Sequence, residues 1–167
     1  VNYRLGPLGF MTHPAFKPDY NGGYALEDQR AALRWVQRNI KAFGGDANNV
    51  TLAGESAGAA AVCMHMFAPQ QSRGLFHKAI IQSAGCAVTL RTVQEAYSTG
   101  LKVAALAGCP DPATALTCLR GKTATHTPRA ASRSARAGGR PPRPSGGHVA
   151  EAWLPPAWAS AQRPPPP

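Results

Sequence analysis

The stretch Gly54-Glu55-Ser56-Ala57-Gly58 constrains this chain more than any other. It is a G-x-S-x-G pattern set between a short apolar run, Val50–Ala53, and an alanine-rich segment, Ala57 to Phe67, that reads as a helix ended by Pro69. A buried strand that turns so abruptly into a helix leaves its serine exposed at the carboxyl edge of a sheet, on strained backbone; that is a nucleophile elbow. Glycines two before and two after the serine remove side chains that would collide in so tight a turn. Ala57, Ala59, Ala60 and Ala61 keep the helix slim enough to pack closely on the strand. The N–H of Ala57, at the positive end of that helix, becomes a candidate oxyanion donor. The bare pattern occurs often by chance; its setting between strand and helix gives it weight.

The rest of the chain alternates helix and strand. Val1–Arg4 reads as the end of a strand, and Leu5–Gly23 as a loop punctuated by Gly and Pro. Leu26, Leu33, Val36, Ile40 and Phe43 make one apolar stripe, which predicts a helix from about Leu26 to Phe43. Glu27 and Asp28 suit its amino end, Trp35 its packed face, and Gly44–Gly45 its stop. Lys78–Ser83 reads as a second buried strand, Thr92–Ala107 as a helix, and Ala113–Leu119 as a short one. Such alternation implies an α/β architecture, a mainly parallel sheet with flanking helices on both faces.

Composition divides the chain at about residue 122. Residues 1–122 read as part of a folded domain, and 123–167 as a disordered Pro/Arg/Ala-rich tail holding ten of the 16 prolines. Six arginines against Glu151 give that tail +5 of the net +10, so the basic balance says little about the folded part, and no specific nucleic-acid partner is expected. Such a tail is what GC-rich DNA yields when read in a wrong frame; its rival is a genuine basic extension that binds a polyanion. Cys63 reads as a buried thiol in an apolar helix, whereas Cys109 and Cys118 could close a short loop as a disulfide. No Cys/His spacing suits a metal. No run is long and apolar enough to span a membrane, and no signal peptide is visible, because residue 1 already lies in strand-like sequence.

Several stretches, in order, resemble the type-B carboxylesterase and lipase family. They are Val1-Asn2-Tyr3-Arg4-Leu5-Gly6-Pro7-Leu8-Gly9-Phe10, Asp28 through Gln37, Phe43-Gly44-Gly45-Asp46, Asn49 through Gly58, and Phe76 through Ser83. Cys109 and Cys118-Leu119-Arg120 resemble a small cysteine-closed loop that many members carry. The resemblance implies an α/β-hydrolase fragment and a serine esterase mechanism on a small-molecule ester, with no cofactor and no metal. In it Ser56 attacks the carbonyl, a histidine takes the proton, and a glutamate orients the histidine. It also implies that both partners lie beyond residue 167 and that an HGGG-type oxyanion loop lies before residue 1. Glu55 would line the pocket or serve a structural hydrogen bond, and Ser83 would pack or support the site. The Cys109/Cys118 pair points to an exported parent.

Local histidines do not replace the missing base. His65 is nine residues past Ser56 on one helix, about 13 Å away. His77 precedes its strand and belongs near the opposite sheet edge, roughly 15–20 Å off. His13 sits in a loop that could approach the site but has no orienting acid. His126 and His148 fall in the tail. A second reading, from another class, is a non-catalytic member of the fold that binds proteins, as cholinesterase-like adhesion proteins do. An intact elbow argues against it. Ester specificity and oligomeric state are not legible.

Overall fold

The computed structural model of the chain describes residues 1–16, 21–87 and 90–137. In chain order come α1 (Gly6–Phe10), α2 (Tyr24–Asn39) continued by a 3-10 turn (Ile40–Phe43), β1 (Thr51–Glu55), α3 (Ala57–Phe67), α4 (Pro69–Ser72), β2 (Lys78–Gln82), α5 (Val93–Leu106), α6 (Ala115–Arg120) and α7 (His126–Ala137). Parallel strands need a crossover, and α3 and α4 provide it. β1 and β2 pair in parallel, with Thr51 opposite Lys78 and Glu55 opposite Gln82.

Local chemistry explains the ends of the elements. Gly44 takes a left-handed φ of 79° and closes the 3-10 turn, and Gly45 N donates to Ile40 O at 3.0 Å. Thr92 caps α5 in a capping box: Glu95 N donates to the Thr92 hydroxyl while the Glu95 carboxylate accepts from Thr92 N. Gln37 Nε2 donates to Ala47 O and Leu75 O, which fastens the end of α2 to the segments that lead into β1 and β2.

A core forms where Met11, Val103, Ala104, Ala107 and Ala130 meet, with Phe16, Leu119 and Ala131 packed against it. Gly100 lets α5 lie on the chain at Thr12: a Cβ there would fall 1.7 Å from the Thr12 carbonyl oxygen. α3 buries Ala59, Val62 and Cys63.

Several expectations need correction. Residues 126–137 are helical, past the expected end of the folded part at residue 122. Thr127 and Ala130 are buried there, against a core that α5 shares. Alanine and arginine are strong helix formers, and most of the tail's prolines come later. The expectation for 138–167 lies outside the described residues. Leu5–Gly23 is not all loop, since α1 lies within it. Proline at its first turn needs no helical N–H partner. Val1–Arg4 is not a strand. The two strands are not buried, and Ile80 is 47% exposed. Trp35 of α2 and Phe43 of the 3-10 turn are exposed too, their rings tilted against each other with centroids 5.7 Å apart. Among the described residues no further strand pairs with either edge of the sheet, and nothing covers that face of α2.

All four cysteines are disulfide-bonded. Cys63 is not a free thiol but joins Cys86, and Cys109 joins Cys118. Cys86 lies just after β2, and β2 runs beside the strand that feeds α3; the register brings Cys86 to Cys63. Among the described residues no helix is long and apolar enough to cross a membrane, and no cluster of His, Cys, Asp or Glu could hold a metal.

Candidate active site

Glu55 ends β1, and Ala57 begins α3, so the whole reversal falls on Ser56. Its backbone sits at φ 52° and ψ −116°. A non-glycine residue there costs about 1–3 kcal/mol and persists only where its surroundings impose it. Here they do. Ser56 N donates to Gln82 O at 2.9 Å, and Ser56 O accepts from Ala60 N at 3.1 Å. One bond fixes the residue to β2, and the other starts the helix. Its side chain does not cap α3, and the residue is exposed.

Gly54 makes the turn possible. A Cβ on it would lie 2.2 Å from Gly58 O and 2.3 Å from Gly58 C. Gly58 differs from expectation: a Cβ there would meet nothing within 4 Å. The crowding is one-sided, because the backbone of Gly58 occupies the place of Gly54's missing side chain, while Gly58's own Cβ direction leads away. Ala57 opens an eleven-residue helix, so its N–H is among those without an intrahelical acceptor. Glu55 pairs in register with Gln82 and is exposed beside Ser56. Ser83, next after Gln82, also has a left-handed backbone, at φ 60°. The register thus sets two strained serines side by side at the carboxyl edge of the sheet.

No imidazole among the described residues bonds to Ser56. His77 Nδ1 accepts from Val50 N at the amino edge of the sheet, five strand residues or about 16 Å away. His13 is fully buried, stacked near Phe16, and its Nδ1 accepts from Ala15 N, so the neutral ring carries its proton on Nε2 and has no lone pair to offer there. His126 Nδ1 meets the Thr123 hydroxyl. His148 lies outside the described residues. Asp28, expected to serve the helix end, instead grips Arg4 with both oxygens at 2.8 Å, and the guanidinium holds its carboxyl below the usual range. The sequence hint was Arg4 in a motif-like stretch, but nothing in it named the partner. A shallow concavity lined by Asn2, Tyr3, Arg4, Asp28 and Ala31 surrounds that pair and holds none of the elbow residues.

His65 lies deep behind the elbow, only 1% exposed. Its Nε2 meets Gln29 Oε1 at 2.8 Å, and its Nδ1 meets the Ser72 hydroxyl at 3.4 Å, so it ties α3 to α2 and α4. Burial, with the nearby Arg30 cation, lowers its pKa to about 4, opposed by Glu27, which pairs with Arg30. The unfolded chain therefore binds this proton more tightly. Stability is full above about pH 6.5 and falls as pH drops towards 4. Between pH 6.5 and 5 the loss should be about 2 kcal/mol in urea unfolding, and His65→Leu should flatten that slope. An equally steep slope in the variant would refute the assignment.

A strained serine between a parallel strand and a helix, with glycine two residues before it, is found here together with a match of residues 1–157 to the carboxylesterase family. This chain belongs to that family. Among curated relatives, esterase FE4 of Myzus persicae is 45% identical over 127 residues, covering 74% of this chain and 22% of the relative. The cholinesterase of Mus musculus is 43% identical over 126 residues, covering 73% and 21%. Among solved structures, a thermophilic pNB esterase superposes with a TM-score of 0.74 at 38% identity, covering 84% of this chain and 28% of that one. A carboxylesterase of Geobacillus stearothermophilus gives 0.72 at 36%, covering 83% and 28%. The fold is that of the α/β-hydrolase esterases. This carboxylesterase-family chain spans about a fifth of the length of the curated relatives it matches. The match also runs past residue 122, where composition placed the end of the folded domain.

Proposed function

We propose that this chain is the nucleophile-bearing part of a serine carboxylic ester hydrolase. The observation that carries the reading is the left-handed backbone of Ser56 at the strand-to-helix turn. In this reading Ser56 Oγ attacks the ester carbonyl and forms an acyl-enzyme as the alcohol leaves. Water then cleaves the acyl bond and regenerates the hydroxyl. The N–H of Ala57, at the positive end of α3, donates to the oxyanion. Glu55 lines the pocket, and Gly54 and Gly58 shape the elbow. The base and its orienting acid come from residues outside 1–167, and no cofactor or metal enters the chemistry. The 167 residues alone are then feeble or inactive, since losing triad members costs several orders of magnitude. The substrate is a small-molecule ester. Two disulfides favour an oxidising compartment and hence an exported protein.

Acyl trapping tests this. The gene product carrying this chain, quenched in acid during turnover of a p-nitrophenyl ester, should carry the acyl group on the tryptic peptide from Ala42 to Arg73. Turnover with the acyl group on another peptide would end the proposal. A non-hydrolytic, protein-binding role is the second reading, favoured by the lack of any imidazole on Ser56 among the described residues. It predicts no turnover at all.

A further inference from the structure

Covalent and hydrogen-bonded links form a ring around the elbow. α3 runs from Ser56 to Cys63, the Cys63–Cys86 disulfide crosses to the segment after β2, and that segment leads back through Ser83 to Gln82, whose carbonyl holds Ser56 N. Among the described residues no hydrogen bond, ion pair or ring contact anchors Ser83–Ala87 to the rest of the chain. Among the described residues the Cys63–Cys86 disulfide is the cross-link that holds them. Just upstream sits Ser83, whose left-handed backbone has every reason to relax once the far end is released.

We infer that the Cys63–Cys86 disulfide is a redox-sensitive clamp that keeps the end of β2, and through it Ser56, in the elbow geometry. The inference rests on Ser56 being the nucleophile. A dithiol operates the clamp. Cys63 is fully buried and Cys86 half-buried, so the reductant's thiolate attacks Sγ of Cys86. The Cys63 sulfur leaves as thiolate and takes a proton. The second thiol of the reductant then displaces the Cys86 thiolate, and the reductant ends as its own disulfide. Two electrons pass from reductant to protein. The freed Cys63 thiol is comfortable where it is, as a small buried hydrophobe. Cys109–Cys118 lacks this leverage. Its loop keeps backbone bonds of its own, Cys109 N to Ala104 O and Cys118 N to Thr114 O, and it lies beyond α5.

Hydrogen exchange on the full chain tests the clamp without needing esterase activity. Alkylation and mass measurement establish which disulfides are open. With Cys63–Cys86 reduced by dithiothreitol, the Ser56 amide should exchange about tenfold faster or more, while amides of α5 stay unchanged. Cys86→Ser should show the faster rate without reductant, and Cys118→Ser should keep the response to reductant. Three results would overturn the clamp: verified reduction with no change at Ser56, an equal loss of protection through α5, or Cys63 already alkylated before reduction. A fluorophosphonate probe, applied to the gene product that carries this chain with its base, separates the clamp from the esterase reading. Labelling of Ser56 with a redox-insensitive amide removes the clamp alone, and a responsive amide with an unlabelled Ser56 removes the esterase reading and, with it, the clamp's role on a nucleophile.

Discussion

Ser56→Ala in the intact gene product is expected to lower kcat/KM for ester hydrolysis by about 10⁴- to 10⁶-fold, the usual consequence of deleting a hydrolase nucleophile. Folding should be spared. The Ser56 side chain does not cap α3, and alanine carries the same Cβ into the same left-handed backbone. Unfolding free energy should therefore stay within about 0.5 kcal/mol of the parent. Ser56→Gly gives a sharper contrast, because glycine tolerates φ 52° without strain. It should unfold at higher urea, by about 1 kcal/mol, and be equally inactive. A stabilised but dead variant is the signature of strain held for function. Activity retained in either variant would place the chemistry elsewhere.

Gly54→Ala should produce the largest loss of stability. Its Cβ would meet Gly58 O, Gly58 C and Ala59 N, at 2.2, 2.3 and 2.7 Å. All three are backbone atoms, so no side chain can swing aside, and α3 must slide off β1. A cost of about 3 kcal/mol or more is expected, with loss of the Ser56 geometry. Gly58→Ala is the control. Its Cβ direction is open, and alanine is favoured over glycine inside a helix by up to about 1 kcal/mol. Urea unfolding of the two variants should move in opposite directions. Equal destabilisation would mean that the turn is crowded on both sides.

Elements whose form is set locally were legible in the sequence. The Ala57–Phe67 helix, the stop at Gly44 and the Thr92 start each arise from a few adjacent residues. Exposure was not legible. Apolar strands such as β2 read as buried, yet burial depends on layers that no other described residue supplies. Pairings distant in sequence were also hidden. Arg4 with Asp28 and Cys63 with Cys86 become visible only when the β1–β2 register and the lie of α2 bring them together. The helix at His126–Ala137 was masked by the proline-rich composition of residues 138–167. At the site, Ser56 and Gly54 carried a local signal strong enough to place them. The strain at Ser56 was legible in that same pattern; the left-handed backbone of Ser83 was not, because nothing local to Ser83 marks it and only the register of two strands sets it beside Ser56.

Labelling with a fluorophosphonate probe reaches the central claim most directly. The gene product is treated with the probe, digested with trypsin and mapped by mass spectrometry. A single adduct on Ser56, within the peptide from Ala42 to Arg73, is the predicted result, and Ser56→Ala should abolish it. An unlabelled protein, or labelling that persists in Ser56→Ala, would contradict the assignment of Ser56 as an esterase nucleophile.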